Sequence, residues 1–314
     1  MPKHQRTQLL LHLAVLLATL AFPGTQKTIK VIKIMRHGAR QTTLKSHSGA
    51  SFSQANLTNP GFAQMAVLGN RMAKKYAREL RLHKYDPREV RVESSDPNRC
   101  MFSGRAWLYG YFWRKSGERH TSYLKERRVN QKVFWEVDPE VGAELSEFAV
   151  TRLAGKENLL FRAHHPKVCP KMKGLRSKRG YLRSKELEEY ADLVMQKLKE
   201  EGFDIESVVR KDRKSSSKIG ALFEYFYTLH FAVPKGEKPI SRKLFRMLNI
   251  AKMHIWFLNK KGTGNFSNIA LTPLLKAVHK DITKGRRDSK KPKSKKREKL
   301  VIYSGHASTI LSLM

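Results

Sequence analysis

Two histidines and three arginines are the residues of this sequence whose types and positions could do chemistry together. His37 lies between Arg36 and Arg40, close to the N-terminus. Arg99 and His306 lie at or beside the ends of two further β-type segments. Arginine presents forked N–H donors that match phosphate oxygens, and a neutral histidine beside them can attack phosphorus. This composition predicts a phosphate site with a histidine nucleophile.

Short strands must position these side chains. Residues 29–34 (IKVIKI) are rich in β-branched residues and run directly into the first histidine, and residues 300–303 (LVIY) lead in the same way to the second. Val90 and Val92 alternate with charged residues as a third strand, shortly before the third arginine. Because α/β folds place ligands at strand ends, the spacing predicts an α/β fold with the site at one edge of its sheet.

Amphipathic helices are predicted between the strands. Thr58 is a typical N-cap and Pro60 suits a first helical turn, and apolar residues then recur every three or four positions over residues 62–80. By the same signals, a later helix is expected to begin at Thr272 and Pro273.

The chain is strongly basic. It has 314 residues, with 63 Lys and Arg against 27 Asp and Glu, a formal net charge of +36 and a pI of about 10.4. Its 40% of apolar residues argue against a chain that is disordered throughout. The charge favours anionic partners, including nucleic acids, phosphorylated metabolites and anionic lipid surfaces.

The run from Lys284 to Lys299 is the densest block of this charge. We interpret it as a solvated insertion between the last helix and the last strand. Since no aromatic residues interleave it, nucleic-acid binding is not favoured, although the charge does not exclude it.

The N-terminus is typical of a secretory signal. Lys3 and Arg6 precede an apolar run from Leu9 to Phe22, with small residues near Ala21. We expect residues 1–21 to be a signal peptide and the protein to be secreted or lysosomal; an amphipathic or disordered N-terminus is the alternative. The run is shorter than the ~20 residues that span a bilayer, so no transmembrane segment is predicted. The pairing of the two cysteines, Cys100 and Cys169, stays open.

Several ordered motifs resemble one family. Residues 35–40 (MRHGAR) are similar to the nucleophile motif of the histidine acid phosphatases, whose long signature is Arg-His-Gly-x-Arg-x-Pro. The matching blocks cover about residues 30–115 and 271–314. Further matches, in the same order, are residues 57–61 (LTNPG), 68–69 (LG), 94–99 (SSDPNR) with Ser103, 169–170 (CP) and 301–306 (VIYSGH).

The resemblance implies an architecture. It is a central mixed, mostly parallel sheet flanked by helices, with a helical cap inserted between the matching blocks. On this basis residues 22–175 and 262–314 are expected to form the α/β core, and residues 176–261 a mainly helical cap region.

The resemblance also implies the roles of the site residues. His37 would be the nucleophile, and His306 would complete the catalytic pocket and help to bind phosphate. Arg36, Arg40 and Arg99 would bind the phosphoryl oxygens. Fixed cations can stabilise a transferring phosphoryl group, and the sequence shows no metal-ligand spacing, so we expect neither a metal nor an organic cofactor.

The sequence departs from the family at positions that matter. Ala307 and Ser308 stand where relatives carry the carboxyl that protonates the leaving alcohol. Thr42 replaces a proline, and Glu93 is expected to bring a negative charge towards the phosphate pocket. The chain ends at residue 314, where relatives continue with a cysteine that would pair with Cys169. We therefore consider a fragmentary or degenerate copy as an alternative.

Together these features predict an acid phosphatase. It would hydrolyse small phosphate monoesters through a phosphohistidine on His37. The alternatives are a catalytically impaired relative that binds phosphate or polyanions, and, on charge alone, a nucleic-acid-binding protein.

Overall fold

The computed structural model of this chain describes most of it. The predicted signal segment 1–21 and Thr42 lie outside the described residues. The described residues are 27–40, 56–112, 124–129, 132–137, 145–163, 167–170, 185–209, 215–231, 240–261, 264–290 and 297–311.

Strands and helices alternate in the first part of the chain, and helices dominate the middle. The elements are, in chain order, β1 (Val31–Arg36), α1 (Asn59–Leu80), β2 (Val90–Ser95), α2 (Asn98–Phe112), β3 (Leu124–Val129), β4 (Lys132–Val137), β5 (Thr151–Leu153), a 3-10 turn (Gly155–Asn158), α3 (Leu159–Arg162), α4 (Lys185–Glu200), α5 (Ile205–Val208), α6 (Ser215–Phe231), α7 (Arg242–Lys261), α8 (Gly264–Ser289), β6 (Leu300–Gly305) and α9 (Ala307–Leu311).

The central sheet has the strand order β1-β6-β2-β5, and all its pairings are parallel. Strand β6 is buried along its whole length, with Leu300 opposite both Val31 and Val90. Strands β3 and β4 form a separate antiparallel pair. The predicted α/β fold is confirmed. Because parallel strands end at the same edge, His37 and His306 emerge side by side.

Helices α1 and α2 cover one part of this sheet. Thr58 is the N-cap of α1, as predicted, and its side chain accepts a hydrogen bond from the Gly61 amide. Apolar residues of both helices, including the fully buried Phe62 and Trp107, pack with strand residues in one hydrophobic cluster. This packing fixes the start of α1 against the loop that follows β1.

The helices α4, α6 and α7 form a second hydrophobic cluster. Their buried residues, such as Leu198, Leu222 and Leu248, pack on one another and not on the sheet. The proposed boundaries of a core and a cap region stay a prediction. Among the helices that the structure describes, none combines the length and apolar character needed to cross a membrane.

The helix expected to begin at Thr272 begins instead at Gly264, with Pro273 inside it. Proline removes one backbone hydrogen bond from a helix, which is why it suggested a start. The buried residues Ala270 and Leu274 flank Pro273 on both sides, and their packing keeps the helix continuous. The prediction was therefore wrong because tertiary burial outweighs the local signal.

The interpretation of the whole basic run as a solvated loop was also wrong. Helix α8 extends through its first residues to Ser289, and residues 291–296 lie outside the described part. At the other end of the basic run, the Glu298 carboxylate accepts from Lys30 Nζ at 2.6 Å and from Arg91 Nε at 2.8 Å. The last residues of the run are therefore fixed where strand β6 begins.

Arg91 is the centre of this ionic network, which joins strands β2 and β6 to helix α8. Besides Glu298, Arg91 pairs with Glu93 and, at 2.5 Å, with Asp281 of α8. Asp281 in turn accepts a hydrogen bond of 2.6 Å from the Tyr303 hydroxyl. A half-buried guanidinium such as that of Arg91 needs partners, because an unpaired charge away from water is costly.

Candidate active site

His37 directly follows β1 and is 7% exposed. Its ring Nδ1 lies 2.8 Å from the carbonyl oxygen of Gly38. Since a carbonyl oxygen only accepts, Nδ1 carries the proton, and the Nε2 of a neutral ring keeps its lone pair. The geometry therefore leaves one ring nitrogen available as a nucleophile.

The charge state of His37 agrees with this. Burial holds the pKa of His37 well below its ordinary value of 6.5, and the positive charge of Arg36 lowers it further. The hydrogen bond to Gly38 opposes the shift, and Arg99 adds to it. The imidazole is consequently neutral over the physiological pH range and into mildly acidic solution.

The loop after β1 is fixed by a close approach of two glycines. A Cβ on Gly38 would lie 2.3 Å from the carbonyl oxygen of Gly61, and one on Gly61 would lie 2.0 Å from that of Ala39. No side chain is compatible with these distances. The glycines of residues 35–40 and 57–61 thus let the nucleophile loop rest directly on the first turn of α1.

Ser103 connects this loop to the third arginine. The Gly38 amide donates to Ser103 Oγ at 3.0 Å, and Ser103 Oγ donates to the Arg99 carbonyl at 2.6 Å. Helix α2 therefore places Arg99 beside the histidine loop. Ser103 was part of the sequence resemblance, and its place in the structure shows what it does.

Arg36 and Arg99 lie close enough to His37 for their charges to act on it, and Arg40 lies in the same cluster of cations. Burial lowers the pKa values of Arg40 and Arg99, and each of the two is affected by charges in the same cluster. The buried Nε atoms of Arg36 and Arg99 have no hydrogen-bond partner within the described residues. Buried donors of this kind are ordinarily paired, so the cluster is suited to an anion.

His306 follows the central strand β6 and stands next to the first histidine. The rings of His37 and His306 are 5.8 Å apart between centroids, edge to face. The Nε2 of His306 lies 2.8 Å from Ser95 Oγ, which is also 3.1 Å from the buried Asn158 side chain. The structure thus brings together all five residues singled out from the sequence.

A buried thiol lies beneath the second histidine. Cys100 Sγ lies 3.8 Å from His306 Nδ1, and burial raises the pKa of Cys100 to about 12, so the thiol stays protonated. Cys100 and Cys169 are both free and do not pair with each other.

Two of the departures from the family can be located. Ala307 and Ser308 form the first turn of α9, so neither supplies a carboxyl directly after His306. Glu93, expected to bring a negative charge towards the phosphate pocket, instead pairs with Arg91 in the network at α8. That expectation was wrong, because Glu93 pairs with the half-buried Arg91 of its own strand.

Helix α6 contributes residues that the sequence did not suggest. Glu224 forms an ion pair with Arg40. Tyr227 accepts a hydrogen bond of 3.0 Å from Arg36 Nη1, and its ring lies 4.9 Å from that guanidinium carbon. No sequence motif marks these residues, since Glu224 lies 184 positions from Arg40.

A cavity of about 710 Å³ opens beside the nucleophile. Arg36, His37 and Tyr227 line it, together with residues of α1 that include Val67 and Leu68. It is large enough for a small organic phosphate.

Comparisons with known proteins agree with this geometry. A family profile of the histidine phosphatase superfamily (branch 2) matches residues 19–314. No curated protein matches the sequence. The chain therefore belongs to the histidine phosphatase superfamily, branch 2, which confirms the resemblance of the motifs. A phosphatase is the general activity that family and fold support.

Solved structures with a similar fold include bacterial phytases. The phytase of Klebsiella sp ASR1 has a TM-score of 0.57 at 14% identity, covering 90% of this chain and 71% of that one. Hafnia alvei phytase in complex with myo-inositol hexakis sulphate has a TM-score of 0.59 at 13% identity, covering 93% and 75%. At this identity the likeness is one of fold.

Proposed function

We propose that this protein hydrolyses small phosphate monoesters through a phosphohistidine on His37. Nε2 of His37 attacks phosphorus, the bond to the leaving alcohol breaks, and water then hydrolyses the phosphohistidine. The observation that carries the proposal is the neutral ring of His37, whose proton is held on Nδ1 by the Gly38 carbonyl. A nucleophile of this kind needs no base to activate it.

The arginines supply the electrostatic part of the catalysis. Arg36, Arg40 and Arg99 would hold the phosphoryl oxygens, and cations fixed in place stabilise the negative charge that these oxygens carry during transfer. His306 would complete the pocket from β6. The unpaired Nε atoms of Arg36 and Arg99 support this assignment, because a phosphate offers them acceptors.

More specifically, we propose that the protein is an acid phosphatase of the secretory pathway. The low pKa of His37 supports it, because the nucleophile stays unprotonated in acid. The signal segment expected at residues 1–21 supports a secreted or lysosomal location.

Turnover of p-nitrophenyl phosphate tests the proposal. We expect the wild-type protein to release nitrophenol, and His37→Ala to lose at least about 10³-fold in kcat. His279→Ala, which changes an exposed histidine on α8, is the matched control and should retain activity. A folded wild-type protein that binds phosphate without turnover would favour the impaired, phosphate-binding alternative.

A further inference from the structure

When the P–O bond of a phosphate ester breaks, the leaving oxygen needs a proton. The electron pair of the P–O bond moves to that oxygen, and an alkoxide is a poor leaving group unless an acid protonates it. Ala307 and Ser308 provide no carboxyl. If the proposed function is right, either another residue donates this proton or alkyl phosphates are poor substrates.

Two carboxylates lie beside the arginines in the described part of the chain. The first, Asp96, follows β2 and is already engaged: its Oδ1 accepts from Asn158 Nδ2 at 2.9 Å and lies 3.5 Å from Arg162 Nη1. Asn158 also contacts Ser95, the partner of His306. Asp96 is therefore part of the support beneath His306, on the same side of the pocket as the sheet.

The second carboxylate, Glu224, reaches Arg40 from the helical region. It lies on α6, whose other face places Leu222 and Phe226 in the cluster of the middle helices. Its carboxylate pairs with Arg40, and its side chain is 35% exposed. Tyr227, one turn further on, contacts Arg36. Two residues of one helix thus face two of the three arginines.

This placement puts α6 on the side from which the alcohol leaves. In a phosphoryl transfer the attacking and leaving oxygen or nitrogen atoms are roughly in line through phosphorus. Arg36 and Arg40 follow or end β1 beside His37, and each contacts α6, through Tyr227 and Glu224 respectively. A phosphoryl group held by these arginines and attacked by His37 would direct its leaving oxygen away from His37, towards α6.

We propose that Glu224 is the catalytic residue that protonates the leaving alcohol. In the first step, His37 Nε2 bonds to phosphorus, the P–O bond breaks, and the leaving oxygen takes the proton of the Glu224 carboxyl. In the second step, the Glu224 carboxylate takes a proton from the attacking water, and phosphate departs from His37. The proton returned to Glu224 restores the starting state.

The ion pair with Arg40 fits this role. When a phosphate monoester binds, its oxygens replace the Glu224 carboxylate as the partner of Arg40. The phosphate then lies beside the Glu224 carboxyl group. Since Glu224 is partly exposed, the proton that it donates can come from solvent.

Leaving-group dependence is the test. Nitrophenolate leaves with little protonation, whereas the glycerol alkoxide needs an acid. We expect Glu224→Gln to lower kcat/KM for glycerol phosphate by about 10²- to 10⁴-fold and that for p-nitrophenyl phosphate by less than about 10-fold. Glu224→Asp keeps the charge opposite Arg40 and should show a smaller loss of the same kind. Adding Ala307→Asp to Glu224→Gln should restore glycerol phosphate turnover.

Two matched variants and a melting curve serve as controls. Glu200→Gln removes an exposed carboxylate on α4 and should leave kcat/KM for both substrates unchanged. Asp96→Asn should lower kcat/KM for both substrates by a similar factor, because Asp96 supports the pocket. Glu224 is not the acid if Glu224→Gln lowers kcat/KM equally for both substrates, or raises it for both. Glu224 is also not the acid if Asp96→Asn is the variant that loses kcat/KM for glycerol phosphate alone. A folded wild-type protein inactive on p-nitrophenyl phosphate would overturn the proposed function itself.

Discussion

At the scale of single residues, the site depends on keeping one histidine neutral among three cations. Burial and the charge of Arg36 both disfavour a protonated His37, and the Gly38 carbonyl selects the tautomer with Nε2 free. A histidine exposed on the surface would be half protonated near pH 6.5 and would lose its nucleophilic lone pair in acid. The same surroundings that bind phosphate therefore also maintain the nucleophile.

The low pKa of His37 predicts how stability changes with pH. Below its ordinary pKa of 6.5, the unfolded chain takes up a proton at this residue and the folded chain does not. The free energy of unfolding should therefore fall with decreasing pH by more in the wild type than in His37→Ala. Melting curves of both proteins between pH 7.5 and pH 5 measure this. Parallel curves would mean that His37 titrates normally in the folded protein.

Much of the site could be predicted at this scale because its residues follow strands in short motifs. Arg36, His37 and Arg40 lie within five positions, and the backbone alone brings them together. Glu224 could not be predicted, because its approach to Arg40 depends on how α6 packs against distant helices. The pairing of Glu93 with Arg91 was missed for a related reason: Asp281 of α8 and Glu298, which also bind Arg91, reach it only in the folded state.

At the scale of elements, the strands and α1 were predictable from local pattern, and α8 was not. A β-branched run and an N-cap act within a few residues, whereas the continuation of α8 through Pro273 depends on the burial of Leu274 against the sheet. The same holds for the basic run, whose Glu298 is fixed by Lys30 and Arg91. Its composition alone cannot show that one acidic residue in it is largely buried and paired with two cations.

Glu298 should contribute to stability in a pH-dependent way. Burial alone would raise its pKa, but hydrogen bonds and charges from Arg91 and Lys30 outweigh burial, and the pKa lies below its usual 4.5. That stabilisation is present above pH 4.5 and is lost as the pH falls towards the lower folded pKa. We expect Glu298→Gln to be less stable at pH 7 by about 3 kcal/mol, and the difference from wild type to shrink in acid.

Urea titrations at pH 7 and pH 4 measure this difference. Gln at position 298 keeps the volume of the side chain and removes only its charge. A variant as stable as the wild type at pH 7 would show that Lys30 and Arg91 do not depend on Glu298. For the same reason, deletion of the whole run from Lys284 to Lys299 is expected to damage the fold.

At the scale of the whole molecule, the net charge of +36 creates a field that attracts anions over the whole surface. Only a small part of that charge lies in the arginine pocket. Among the described residues, further positive charge lies on exposed faces such as the last turns of α8, where Arg286 and Arg287 are exposed. Binding of polyanions and turnover of small substrates should therefore be separable.

The double variant Arg286→Gln/Arg287→Gln tests this separation. It should weaken the binding of heparin, and its apparent affinity should depend less steeply on salt than that of the wild type. Turnover of p-nitrophenyl phosphate should stay within about 3-fold, because exposed charges contribute little to a pocket they do not line. A large loss of turnover would mean that the end of α8 contributes to the active site.

The central claim is that His37 becomes phosphorylated. Protein mixed with ³²P-labelled p-nitrophenyl phosphate and quenched within milliseconds should carry label that is stable in alkali and lost in acid, as a phosphohistidine is. Peptide mapping at alkaline pH should assign it to residue 37, and His279→Ala should be labelled like the wild type. Turnover with label on another residue, with undiminished label in His37→Ala, or with no phosphoenzyme under single-turnover conditions would contradict the account.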